Sequence, residues 1–147
     1  MDGDAVIDAG STTHCEDLPW LPLAPRVGIR VLSMDPKVGS YAVMLRAEAG
    51  GVLPRHRHLG EAEIYMIKGS GNHPQAGDFR PGDFITERNG AVHDALEFME
   101  ETVLLMFARG PSAFLAPDGS DMYLMDVPML QGLMQQSAAP AKAHSRD

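Results

Sequence analysis

Gly50-Gly51-Val52-Leu53-Pro54-Arg55-His56-Arg57-His58-Leu59-Gly60-Glu61-Ala62-Glu63-Ile64-Tyr65-Met66-Ile67-Lys68-Gly69 decides the reading of this chain. Side chains on a β-strand alternate between faces, so residues i and i+2 share one. His56 and His58 therefore point one way, and Arg55 and Arg57 point the other. Two imidazoles side by side on one face of a strand are ready to hold a metal ion between them. Ile64 to Ile67 read as a second strand, closed by Gly69, with Glu61 and Glu63 just upstream or within it.

A third histidine follows at the right kind of place. Asn89-Gly90 is a strong tight-turn signal, and it puts His93 at the start of the strand after the turn. His73 competes for the role. It lies in a polar turn ahead of Pro74 and reads better as a surface residue, as does Glu61. His14 with Cys15 reads as a loop pair, and His144 falls in the tail.

Working outward, Val27–Met34, Ser40–Ala47 and Glu101–Arg109 read as strands, and Ser112–Ala116 with Asp121–Met125 reads as a hairpin turning at Pro117-Asp118-Gly119. In the second of these strands Tyr41, Val43 and Leu45 oppose Ala42, Met44 and Arg46, and the two faces are too alike in apolarity to tell inside from outside. Asp126–Gln136 has helical composition, with Asp126 as N-cap. Residues 1–17 read as a flexible arm, 18–136 as one domain and 137–147 as a disordered tail. Trp20, in a proline-rich stretch, reads as a core or interface anchor. Eight or more short strands and one short helix describe an all-β sandwich or barrel.

The chain has 147 residues, which suits a single domain able to bury ~70% of its unfolded surface. Its 11 prolines and 15 glycines fit many turns. A net charge of −8 without a basic patch argues against nucleic acid. The single cysteine, Cys15, permits a reducing compartment. With an acidic N-terminus and no apolar run near ~18 residues, neither a signal peptide nor a membrane span is expected, and a cytoplasmic protein is.

These residues resemble the cupin superfamily. Its first motif, G-x5-H-x-H-x(3 or 4)-E-x6-G, is matched by Gly50, His56, His58 and Gly69. Its second, G-x5-P-x-G-x2-H-x3-N, is matched by Gly82, Gly90 and His93, with Arg88 and Glu97 in the proline and asparagine places. The resemblance covers about residues 27 to 110 and implies a jelly-roll β-barrel with His56, His58 and His93 as metal ligands. One departure stands out. Counting back from Gly69, the motif's ligand glutamate falls on Ala62; only a bulge would bring Glu63 there.

A three-histidine cupin looks most like the acetylacetone dioxygenase and 2,4′-dihydroxyacetophenone dioxygenase group. That resemblance implies Fe(II), for which zinc or nickel can substitute on isolation, and cleavage with O2 of a C–C bond in a diketone-like substrate. It matches Glu87, six residues before His93, to a catalytic glutamate. Glu63 is the other catalytic candidate, with Arg46 or Arg80 to hold either carboxylate. Met44, Tyr65, Met66, Phe84 and Phe107 are candidates for the pocket wall. The His56-Arg57-His58-Leu59-Gly60 run is also similar to the zinc-binding anti-sigma cupins, which implies the alternative of a non-catalytic zinc sensor or small-ligand-binding module. Cupins commonly pair, so the resemblance, the proline-rich arm and the apolar 103–107 strand lead us to expect a homodimer or higher homo-oligomer.

Overall fold

The computed structural model describes residues 9–145, with side chains as far as residue 138. The expected arm therefore falls partly outside the described residues, as does the end of the expected tail. After a short 3-10 turn at Cys15–Asp17, the chain forms β1 (Leu21–Ala24), β2 (Val27–Asp35), β3 (Ser40–Ala47), β4 (Val52–Leu53), β5 (His56–His58), β6 (Ala62–Lys68) and β7 (Gly71–His73). It continues through β8 (Gly77–Phe79), β9 (Phe84–Glu87), β10 (Val92–His93), β11 (Leu96–Glu97), β12 (Thr102–Ala108), β13 (Ser112–Leu115) and β14 (Asp121–Met125) to helix α1 (Val127–Ser145).

Six strands form one sheet in the order β1-β2-β3-β12-β6-β9, and four form a second in the order β10-β5-β13-β14. Two small ladders, β11-β4 and β7-β8, complete the fold. All pairings are antiparallel. The inner faces follow from the period of two. Val27, Ile29 and Val31 on β2, Tyr41, Val43 and Leu45 on β3, and Ile64 and Met66 on β6 are buried and meet Phe114 from β13 and Phe98 from the loop before β12. Each such side chain, fully buried, contributes about 1.5–3 kcal/mol of transfer free energy. The Asp126 carboxylate accepts the Met129 amide at 2.9 Å, so the N-cap is where the sequence puts it. Val127 and Leu130 then anchor α1 in the core. The helix runs on to Ser145, through residues read as tail.

The ambiguous strand β3 resolves with Met44 and Arg46 facing outward. Arg46 and Arg30 both lie against the ring of Trp20, at 4.6 and 4.3 Å from its centroid, so Trp20 is a half-buried clamp on the outside of the sheet and not part of the core. Also on the outer face, Met44, Leu105, Tyr65 and Phe84 are direct register partners across β3, β12, β6 and β9.

Where β5 passes into β6 it crosses the connection from β12 to β13. The Leu59 amide donates to Pro111 O at 2.8 Å and the Arg109 amide to Glu61 O at 2.9 Å. Gly60 sits at the crossing, and a Cβ there would fall 2.6 Å from the Gly110 Cα and N. Backbone cannot yield as a side chain can. Gly60→Ala is therefore expected to destabilise the fold by about 1–3 kcal/mol, the range for overpacking. A urea-unfolding curve shifted by less than about 0.5 kcal/mol would contradict the close approach.

Candidate metal centre

Strand β5 lies between β10 and β13. Alternation sends His56 and His58 inward, 5% and 2% exposed, while Arg57 turns out to pair with Asp121 at 3.0 Å. The Asn89-Gly90 turn docks on this strand. The Gly90 amide donates to His58 O at 2.7 Å, and the His58 amide to Ala91 O at 2.9 Å. This fixes β10 so that His93 is the direct register partner of His56. The three rings lie 4.9 to 5.4 Å apart between centroids.

A carboxylate enters from the other sheet. Glu87, the last residue of β9, is 4% exposed and directly opposite Ala62 in register. Its Oε1 is 3.0 Å from His58 Nε2, and its Oε2 is 2.9 Å from His73 Nε2 and 3.7 Å from His93 Nε2. His73 corrects the sequence reading. It is no surface residue: it is 4% exposed, its ring 4.7 Å from that of His93. The peptide amides of Gln75 and Ala76 both donate to its Nδ1, at 3.1 Å each. A turn that folds back on its own histidine draws that side chain inside, and no spacing in the sequence marks it.

Glu63 is not brought to the site. With no bulge at Ala62, it stays on the outer face of β6 and pairs with Arg109 at 2.8 Å. Glu61 meets Arg88 and Arg109 at the surface. Arg46 is held by Trp20 and Arg80 is exposed, so neither reaches Glu87. Of the five apolar residues considered for the pocket wall, only Met66 lines it; Met44, Tyr65, Phe84 and Phe107 face outward. The cavity is instead walled by Leu45, Ile64, Phe79, Phe98, Leu104 and Phe114, among others. Its volume of about 50 Å³ is room for a few water-sized molecules.

Burial pushes the His56 imidazole below its ordinary pKa, against the bond to Pro54 O, and pushes His93 down to about 4 despite Glu87 beside it. For Glu87, burial would raise the carboxyl, but the imidazoles of His58 and His73 outweigh it and leave Glu87 well below the carboxylate range. Near neutral pH the centre thus combines an ionised carboxylate with uncharged His56 and His93. The donors fit a cation. His56 Nδ1 donates to Pro54 O at 2.9 Å, which leaves its Nε2 lone pair free. His58 Nε2 and both ring nitrogens of His93 have no hydrogen-bond partner, although buried polar atoms normally find one. Among the described residues, two groups bring three ligand atoms within 4.8 Å of one another: His56, His58 and Glu87, and His73, Glu87 and His93. Glu87 belongs to both, and the three histidines read from the sequence do not form such a group by themselves.

The proton balance sets a pH dependence. As pH falls the unfolded chain takes up protons at ordinary carboxylate and imidazole values, whereas folded Glu87, His56 and His93 resist them. Their contribution to stability is complete above about pH 6.5 and is lost as pH falls through about 4, the Glu87 part last. The urea midpoint of the metal-free protein is expected to drop between about pH 7 and about pH 4.5, and His93→Asn to flatten part of the drop. A midpoint that stays level would contradict these shifts.

No curated protein matches the chain by sequence. Solved structures do match it by shape. One is described as a candidate acetylacetone dioxygenase from Methylibium petroleiphilum, with a TM-score of 0.79 and 22% identity, over 88% of this chain and 96% of that one. An acetylacetone dioxygenase from Acinetobacter johnsonii matches with a TM-score of 0.76 and 18% identity, over 90% and 95%. The complex of SigE with the anti-sigma factor ChrR from Rhodobacter sphaeroides matches with a TM-score of 0.56 and 20% identity, over 63% of this chain and 50% of that one. At these identities the likeness is one of fold. The sequence profile of the ChrR Cupin-like domain covers residues 8–113, most of the chain. The protein belongs to that family of cupins.

Proposed function

We propose that this cupin is a non-haem Fe(II) dioxygenase that cleaves a C–C bond of a small β-diketone or hydroxyketone with O2. The observation that carries the reading is the group of buried, partnerless imidazole nitrogens around ionised Glu87 on the wall of a small apolar cavity. His56, His58 and His93 would hold the metal. When bound, Fe(II) supplies a Lewis acid for the substrate's two oxygens and electrons for dioxygen. The chain's own part is to position and to exclude. Pro54 O holds the His56 ring and Ser112 Oγ lies 3.3 Å from His58 Nδ1, so the two imidazoles keep their orientation. Leu45, Phe98 and Phe114 keep water away and favour a compact, largely apolar substrate. Acetylacetone is a fair first probe. If both oxygen atoms enter the products, its cleavage gives a carboxylic acid and a dicarbonyl, with no further reductant.

Protein purified without a nickel column and loaded anaerobically with Fe(II) is expected to consume about one O2 per acetylacetone cleaved, and His93→Ala to lose both metal and turnover. No oxygen uptake across a panel of diketones and hydroxyketones, from protein that does hold Fe(II), would sink the dioxygenase reading. It would then favour the second one, a non-catalytic zinc sensor or small-ligand module, which the match to the ChrR Cupin-like domain supports.

The same reading takes the protein to be a homo-oligomer. What supports it is the in-register outer row of Met44, Leu105, Tyr65 and Phe84, of which Tyr65 is 46% and Phe84 61% exposed. Light scattering is expected to give at least twice the 15.9 kDa chain mass, and Phe84→Glu to reduce it. A native mass of one chain would rule the oligomer out.

A further inference from the structure

Glu87 and His73 both touch the centre, and the hydrogen-bond pattern separates their roles. His73 Nδ1 accepts two peptide amides, so it carries no proton. The ring's proton is on Nε2, 2.9 Å from Glu87 Oε2, and is donated there. With one nitrogen filled by backbone donors and the other by the carboxylate, His73 has no lone pair left for a metal. This discounts the group of His73, Glu87 and His93 as a second metal site, although its atoms are close enough.

The other carboxylate oxygen is differently placed. Oε1 lies 3.0 Å from His58 Nε2, yet the pair does not meet hydrogen-bond geometry. Two donor atoms this close, with no hydrogen bond between them, are placed as neighbours around a common point would be. Ligands on bonds of about 2.1 Å, set at right-angled to tetrahedral angles, lie about 3.0–3.4 Å apart.

We propose that Glu87 is the carboxylate ligand of the metal, bound through Oε1 beside His56, His58 and His93, and that His73 is the positioning residue that holds Oε2 and takes no place on the metal. This rests on the metal-binding reading above. The route is the strand register. Ala62, fully buried, stands at the position where the first motif carries its glutamate, and Glu87 is its direct partner on β9. Side chains of such partners leave the sheet about 4.5–5.5 Å apart on the same face. A carboxylate from either strand reaches the same wall of the cavity, and the methyl group of Ala62 leaves room for the one from β9. The centre would then offer four protein donors, with a net charge of +1 for a divalent ion.

The test is Co(II) binding to the full chain, read by visible absorption and by chelator competition, so that it does not depend on turnover. Wild type and His56→Ala mark full and lost binding. Glu87→Gln is expected to weaken Co(II) by more than about 100-fold and to change the spectrum, beyond what loss of a residue that only supports a ligand does. His73→Gln, whose amide can still donate to Oε2, is expected to cost about tenfold and to leave the spectrum in place. Ala62→Glu combined with Glu87→Ala returns the carboxylate to the opposite strand and is expected to recover most of the affinity. Should that double variant fail to fold by circular dichroism, the near-isosteric Glu87→Gln decides alone. Glu87→Gln with wild-type affinity and spectrum would overturn the assignment while leaving the metal site standing, as would a spectrum lost with His73→Gln. Wild type that takes up no Co(II), Zn(II) or Fe(II) would overturn the metal reading and the assignment with it.

Discussion

A carboxylate buried among imidazoles is the constraint on which the rest of this structure turns. Removing an ionised group from water costs several kcal/mol even in a relaxed protein interior, and the cost must be met by what surrounds it. Glu87 sits in a wall made mostly of leucine, isoleucine, methionine and phenylalanine, and its two oxygens meet little but histidine. His73 answers one oxygen with a proton whose position is set by two backbone amides. The other oxygen faces His58 Nε2, a buried nitrogen with no hydrogen-bond partner. An arrangement like this is unbalanced by about one positive charge. The antiparallel ladders exist, in this sense, to bring five polar side chains from four strands to one point inside an otherwise apolar sandwich.

What was legible in the sequence follows from periodicity. Two histidines at i and i+2 must share a face of a strand, and an Asn-Gly turn must return the chain close to where it left, so His56, His58 and His93 could be brought together on paper. The buried trace of Val27, Ile29 and Val31 was legible for the same reason. Alternation names two faces but not which of them is inside. On β3, Ala42 and Met44 are as apolar as Val43 and Leu45, and only the second sheet decides between them. Met44, Tyr65, Phe84 and Phe107 all went to the outside for this reason.

Glu63 and Glu87 show the same limit in another form. Counting along one strand cannot show which residue of a neighbouring strand stands opposite. The pairing of Ala62 with Glu87 is set by how β6 and β9 align, across a segment that includes β7 and β8. His73 was harder still. A histidine in a polar turn before a proline has the composition of a surface loop, and its burial comes from two amides directed back at its own ring. Ser112, beside His58 through the pairing of β13 with β5, is an ordinary serine in the sequence.

The candidate ligands also come from both halves of the sandwich. His56, His58 and His93 belong to the four-stranded sheet, and Glu87 to the edge strand of the six-stranded one. Between those sheets the described contacts are mainly apolar packing, which has no fixed length and lets neighbours slide by fractions of an ångström. An ion gripped from both sides would act as a rivet, with bonds of set length where the rest of the seam has none. Movement of the sheets at that edge would loosen its grip, so the lifetime of the bound ion would report on the breathing of the sandwich.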